Sequence, residues 1–285
     1  MADDTLLFHL SDIHFGLESN VALDWVKGEI AERRPDAVLI TGDLTMRARH
    51  REFAAAREWI TTLDVPVTVE VGNHDMPYFN VIERFFDPYK RFEGMEAVVE
   101  RALDLPGIAV VPLKTAVRAQ PRFNWSKGWV TSGALKKALA AIDALPEGKQ
   151  ALVTVHHPLV EVGTQGTALT KHGQKALTEL AKRDVLAVLS GHVHDAFDLV
   201  QETIHGPVRM IGAGTLSKRV RSTPQSFNEL RIDASGLHVE VRNMENIAND
   251  AMRILDVPED ATPPRRPGEP VAPAGRVPRT DPPVH

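Results

Sequence analysis

From Thr5 to Ser190 the chain alternates between two hydropathy patterns. Short, near-continuous apolar runs predict buried strands at Thr5–Leu10, Ala37–Thr41, Val67–Val71, Ile108–Val111, Ala151–Val155 and Val185–Ser190. Lys114–Arg118 is expected to form a strand beside the fourth run. Between these runs, apolar residues recur at helical spacing. They fall at Val21, Trp25, Val26 and Ile30 in Val21–Arg33, and at Phe53, Ala56, Trp59, Ile60 and Leu63 in Arg51–Leu63. Ser132–Leu145, with Ser132 as its cap, and Gly173–Arg183 are further predicted helices. Strands alternating with helices predict an α/β layer architecture.

Three segments depart from this rhythm. Residues 76–107 are interrupted by Pro77, Pro88 and Pro106 and are dense in aromatics (Tyr78, Phe79, Phe85, Phe86, Tyr89, Phe92), which predicts a helical excursion near a site mouth. Beyond Ala196 the helical spacing fades. Strands are expected at Phe197–Ile204, Val208–Gly212, Ser226–Ile232 and Leu237–Arg242, with a turn at Asp233–Gly236. Pro258–His285 holds nine of the twenty prolines and few large apolar residues. Too little surface is available there to offset ordering entropy, so residues 1–257 are expected to form the domain and 258–285 a disordered or extended tail.

Composition narrows the function. Apolar residues make up 43% of the chain, enough for a sizeable core, and the net charge of −5 argues against a nucleic-acid polymer as partner. Cysteine is absent, which excludes disulfides, a thiolate nucleophile and Cys-based zinc sites. No run approaches the ~20 apolar residues of a membrane span, and the acidic start is unlike a secretory signal, so a cytoplasmic protein is expected.

The chemistry lies just beyond the predicted strands. LLFHL precedes Asp12-Ile13-His14, AVLIT precedes Gly42-Asp43, VTVEV precedes Gly72-Asn73-His74-Asp75, ALVTV precedes His156-His157-Pro158, and VLAVLS precedes Gly191-His192-Val193-His194. Ligands of open α/β sheets sit beyond the carboxyl ends of strands, so five strand ends deliver these groups to one rim. Gly42, Gly72 and Gly191 are expected to supply tight turns there. The donor set is carboxylate, imidazole and one amide, without sulfur, which suits manganese, iron or zinc. Two ions roughly 3.5–4 Å apart need a ligand with two usable oxygens between them, and Asp43 is the candidate.

In this order, D-x-H, G-D, G-N-H-D, H and G-H-x-H resemble the calcineurin-like metallophosphoesterase superfamily over residues 5–242, and within it the class III cyclic-nucleotide phosphodiesterases. The resemblance implies a four-layer αββα sandwich of two mixed sheets flanked by helices. It implies two divalent or mixed-valence transition metals (Mn, Fe or Zn), the first held by Asp12, His14, Asp43 and His194, the second by Asp43, Asn73, His156 and His192. A metal-bridging hydroxide would attack phosphorus, and His74 would assist the leaving group, its imidazole oriented by Asp75. Asn73 and His74 would touch a small phosphoester substrate. His157 is either a substrate or ligand-supporting contact or simply packs against Pro158.

Phosphodiester hydrolysis, of a cyclic nucleotide or another small diester, is the implied activity, and a homodimer the implied assembly. A nucleotide-sugar-lipid pyrophosphatase and a DNA-processing nuclease are the alternatives within the superfamily. A non-catalytic metal-binding interaction module is the alternative outside it; such a module should lack a ligand, and no ligand position is missing. His9 is expected to be a core residue. Arg47, Arg49 and Arg51 could reach a phosphate or form a solvated helix start. Tyr78 and Phe79 could line a leaving-group pocket or pack within the excursion.

Overall fold

Strand β1 (Thr5–Leu10) is buried on both faces, as its near-continuous apolar run requires. The computed structural model describes residues 4–122 and 124–245; the expected tail and the boundary at 257 lie outside the described residues. After β1 come α1 (Asn20–Arg33), β2 (Ala37–Ile40), α2 (His50–Thr61), β3 (Val67–Val69), α3 (Val81–Phe86), α4 (Lys90–Val99), β4 (Ile108–Pro112) and α5 (Ser132–Asp143). There follow β5 (Gln150–Thr154), α6 (Gly173–Ala181), β6 (Ala187–Ser190), β7 (Phe197–Thr203), β8 (Gly206–Gly212), β9 (Ser226–Asp233) and β10 (Gly236–Asn243).

The strands form two five-stranded mixed sheets, ordered β10-β9-β1-β2-β3 and β4-β5-β6-β8-β7. In the first, β1, β2 and β3 are parallel while β9 and β10 run antiparallel. In the second, β4, β5, β6 and β8 are parallel and β7 is antiparallel to β8. Period-two alternation sends each strand's side chains to two cores. Leu7, Leu39, Leu152, Leu189, Ile211 and Leu230 meet in one cluster that draws on both sheets. Phe8, Leu10, Val38 and Ile40 join α1, α2 and α4 residues such as Val26, Ile60 and Met95 in a second. Val153 and Val188 join Leu135 and Leu177 of α5 and α6 in a third. Helix, sheet, sheet and helix therefore stack as the expected αββα sandwich.

Three local expectations need correction. Lys114–Arg118 is not a strand. The chain leaves the sheet after β4 because Thr115 is drawn into the loops above it, bonding Trp129 N through its carbonyl and His157 through its hydroxyl. The cap of α5 is Thr131, whose side chain accepts from Ala134 N, rather than Ser132. The excursion divides: α4 buries Phe92, Met95 and Val99 in the first helix layer, whereas Tyr78, Phe79, Val81, Ile82 and Phe86 are exposed. His9 is buried between Thr41 Oγ1 and Asn228 Nδ2, the expected core histidine.

Candidate metal centre

The loops leaving β1 and β2 are zipped together beyond the sheet by Asp12 N–H to Gly42 O (3.1 Å), His14 N–H to Asp43 O (3.0 Å) and Phe15 N–H to Leu44 O (2.7 Å). This forces unusual backbone. Asp12 (φ 54°), His14 (53°), Asp43 (51°), His192 (68°) and His194 (61°) all occupy the left-handed region. Each such residue costs about 1–2 kcal/mol, and such residues gather where the surrounding structure holds side chains for use. Only one of the three expected turn glycines, Gly42, has a positive φ (96°). Gly72 and Gly191 are needed for space instead: a Cβ on Gly72 would collide with Asp43, and one on Gly191 with Ser11 and Asp12.

The buried carboxylates and imidazoles converge. Asp12 Oδ1 lies 3.1 Å from His194 Nε2 and 3.6 Å from His14 Nε2. Asp43 Oδ2 lies 3.3 Å from His156 Nε2 and 3.9 Å from His14 Nε2, between the two groups. His14 Nε2 and His194 Nε2 are 3.2 Å apart. Ligand-to-ligand edges of about 3–3.4 Å follow from metal–ligand bonds of ~2.0–2.2 Å. The sets Asp12/His14/His194 and Asp12/Asp43/His156 each bring ligand atoms within 4.8 Å of one another.

Tautomers can be read from the carbonyls. His156 Nδ1 donates to Thr41 O (2.7 Å), His194 Nδ1 to Arg219 O (2.7 Å) and His14 Nδ1 to Thr45 O (3.4 Å). A carbonyl accepts only, so these nitrogens carry the proton and each Nε2 lone pair points inward, the arrangement that metal-ligating histidines share. Asp12 Oδ1 is buried without a hydrogen-bond donor among the described residues. The donor set thus fits a pair of cations.

Electrostatics agree. Burial opposes charge on Asp12 and Asp43, yet the facing imidazoles hold both well below the ordinary carboxylate range. Burial pulls His192 down to about 3, leaving it neutral, as a ligand must be. Burial also pulls on His156, but the Asp43 carboxylate outweighs it and raises the imidazole to about 9. A proton and a metal cation are alternative ways of compensating that pair.

His157 differs from its neighbour. Its Nε2 lies 2.9 Å from Ser126 O and 3.1 Å from Asn73 Oδ1, so it donates there, while Nδ1 accepts from Thr115 Oγ1 (2.9 Å). The lone pair is turned away from the centre, and the side chain holds the Asn73 amide that also faces His156 Nε2 at 3.2 Å. The ring of His192 packs on those of His156 and His157 with centroids 5.3 and 4.4 Å apart.

Asp75 does not orient the His74 imidazole. Its carboxylate accepts from Leu44 N, Thr45 N, Thr45 Oγ1 and Gly72 N, all of its capacity going to the loops that carry Asp43 and Asn73. The His74 ring is set by Met46 O, 2.7 Å from Nδ1. Tyr78 and Phe79 are each 65% exposed and meet edge to face with centroids 5.5 Å apart, and the guanidinium groups of Arg47 and Arg49 lie over Phe79 rather than in the centre.

Sequence reasoning missed Arg219. Its guanidinium is 3.3 Å from both His14 Nε2 and His74 Nε2, and it shares a cavity of about 250 Å³ with Asp43, His192, His194, Lys127 and Arg221. The signal available was a basic stretch, Lys218-Arg219-Val220-Arg221, in the loop after β8. That strand is parallel to β6, so its carboxyl end opens on the same rim.

Comparison with known proteins agrees with this architecture. The family model "Calcineurin-like phosphoesterase" matches residues 6–196. A protein of Arcobacter nitrofigilis named "Probable glycerophosphodiester phosphodiesterase" is 28% identical over 194 residues, 66% of this chain and 65% of that one, so this chain spans just under two thirds of that relative. A Synechococcus protein named "Probable cyclic nucleotide phosphodiesterase" is 28% identical over 203 residues, 66% of this chain and 72% of its own. A dimetal phosphatase from Danio rerio shares the fold with TM-score 0.62 at 13% identity, covering 84% of this chain and 96% of its own. A purple acid phosphatase from yellow lupin (Lupinus luteus) seeds does so with TM-score 0.59 at 14% identity, covering 86% of this chain and 52% of its own. With the family model covering most of the described residues and the fold agreeing, the chain belongs to the calcineurin-like phosphoesterases, a family of metal-dependent phosphoester hydrolases.

Proposed function

We propose that this chain is a dinuclear-metal phosphodiesterase acting on small diesters. The observation that carries the reading is the position of Asp43 Oδ2 between His156 Nε2 and His14 Nε2, with inward lone pairs on both sides. Asp12, His14, Asp43 and His194 would hold one ion, and Asp43, Asn73, His156 and His192 the other. The sulfur-free donor set suits manganese, iron or zinc. Bound there, two such ions supply Lewis acidity and an activated water beside the phosphorus.

The chain's own groups do the rest. His157 fixes the Asn73 amide so that its oxygen stays turned to the centre. Met46 O holds the His74 ring by Nδ1, which leaves Nε2 as the atom that exchanges a proton with the leaving oxygen. Arg219 forms no ion pair among the described residues, and Arg221 and Lys127 beside it form none either; non-bridging phosphate oxygens are natural acceptors for them. The names of the two relatives favour a diester over a monoester.

Metal-reconstituted protein should bind two ions per chain and hydrolyse diesters, and Asp43→Asn should lower kcat/KM by about 10³-fold or more while losing at least one ion. Wild type inert with manganese, iron and zinc alike would end this reading.

A further inference from the structure

The polar chamber beside the metal centre holds more positive charge than a single diester can use. Its wall carries Lys127, Arg219 and Arg221, and the only carboxylate lining it among the described residues is that of Asp43, a ligand candidate. No salt bridge among the described residues engages these three cations. A phosphodiester carries one negative charge on two non-bridging oxygens. Two divalent ions on the carboxylates of Asp12 and Asp43 would by themselves outweigh that charge. The three side-chain cations are left without a counter-charge.

The fold holds these groups in place. His194 Nδ1 donates to Arg219 O, and Ser222 N donates to Asp195 Oδ1 (3.1 Å), so the loop of Arg219 and Arg221 is tied to the stretch that follows Gly191. Lys127 Nζ donates to Thr167 O (2.5 Å) and Thr167 Oγ1 (2.7 Å), and Lys127 O accepts from Gln120 Nε2 (2.7 Å). Gly166, beside Thr167, presses on Val193, where a Cβ would collide. The cations also crowd one another. Burial lowers the Lys127 ammonium from its ordinary value; Glu161 opposes this, and Arg221 and Arg122 add to it. Glu161 is drawn to Leu169 N, and Arg122 to Leu169 O. Like charges gathered this way repel, and a bound phosphoryl dianion removes that cost while accepting from guanidinium and ammonium donors alike.

We infer that the chamber takes a second phosphoryl group, carried on the same substrate a short linker away from the scissile phosphorus, and that Lys127 and Arg221 hold it. Arg219, 3.3 Å from both His14 Nε2 and His74 Nε2, stands between that group and the metal centre. The inference rests on the phosphodiesterase reading above and names a substrate class within it, diesters that bear a further phosphate.

The test uses full-length, metal-loaded protein and a matched pair of probes, 3-hydroxypropyl p-nitrophenyl phosphate and the same diester phosphorylated on its free hydroxyl. The pair shares scissile bond, leaving group and linker. Wild type should favour the phosphorylated probe at least about tenfold in kcat/KM, and the preference should shrink as ionic strength rises. Lys127→Ala and Arg221→Ala should each bring the ratio down to about threefold or less, and Lys127→Arg should keep most of it. Calorimetry supplies a readout apart from turnover. Propane-1,3-diol bisphosphate should bind wild type at least about tenfold more tightly than 3-hydroxypropyl phosphate, and the two alanine variants should lose that difference. A wild-type ratio near one, or an equal loss on both probes in the alanine variants, overturns the second phosphate site while leaving the phosphodiesterase reading intact. A wild type inert to both probes with manganese, iron and zinc overturns the two together.

Discussion

His14 Nε2 and His194 Nε2 face each other across 3.2 Å, and each ring's other nitrogen is committed to a backbone carbonyl. Two lone pairs at that separation repel unless a proton or a metal cation lies between them. The nearby left-handed residues Asp12, His14 and His194 add backbone strain to the same few loops. Metal binding should therefore be strongly linked to stability. Chelation is expected to lower Tm by roughly 5–10 °C, and manganese or zinc to restore it. The check is a thermal melt on protein whose metal content has been measured; the same Tm with and without metal would contradict a shared cation.

The adjacent histidines should separate cleanly. His156→Ala is expected to leave about one ion per chain. His157→Leu should keep both and lower activity roughly 10- to 100-fold, because Asn73 loses its donor. His157→Gln, which can still donate to Asn73 and Ser126, should recover part of the loss. Metal stoichiometry measured alongside kcat is the check, and loss of an ion in His157→Leu would reverse the assignment.

The role of His74 predicts a dependence on the leaving group. His74→Asn should lower kcat/KM by about 10²–10⁴-fold for an alkoxide leaving group and far less for p-nitrophenolate, which departs without a proton. An equal loss with both would mean that the ring serves only to hold the Met46 loop.

Away from the centre, Glu70 gives a pH dependence of stability. Burial raises its carboxyl to about 8, with Glu96 and Glu100 adding repulsion and Lys114 opposing it. Below about pH 4.5 the folded and unfolded chains are both protonated there. As pH rises from 4.5 through 8 the unfolded chain releases this proton more readily, so stability falls. Glu70→Gln should raise Tm at pH 8 by roughly 2–4 °C for each kcal/mol relieved, and should leave it unchanged at pH 4. Melts of both proteins across this range are the check; a gain that grows toward acid pH would refute the sign.

Much of the site was legible in the chain because its causes are local. Buried strands declare themselves by apolar runs, and the first residues past a parallel strand must lie on the rim, so the stretches 12–14, 42–43, 72–75, 156–157 and 191–194 could be placed there from the chain, while the choice of ligands within them came from the family resemblance. The aromatics of residues 76–107 were likewise visible. Their division into a packed α4 and the exposed Tyr78, Phe79, Val81, Ile82 and Phe86 was not, because the exposed stretch is no less apolar than α4 and only its neighbours differ.

What tertiary structure decided is the direction of each polar atom. His156 and His157 are adjacent and chemically identical; Thr41 O turns one lone pair inward, and Ser126 O with Asn73 turns the other ring's N–H there instead. Met46 O, not Asp75, sets His74, and Arg219 arrives from a loop whose place on the rim depends on β8 running parallel to β6. Sequence determines which groups are present and the strand ends they follow, because hydropathy and backbone preference act over a few residues. Hydrogen-bond partners come from distant loops, so protonation, tautomer and the pocket beside His74 exist only once the two sheets have packed.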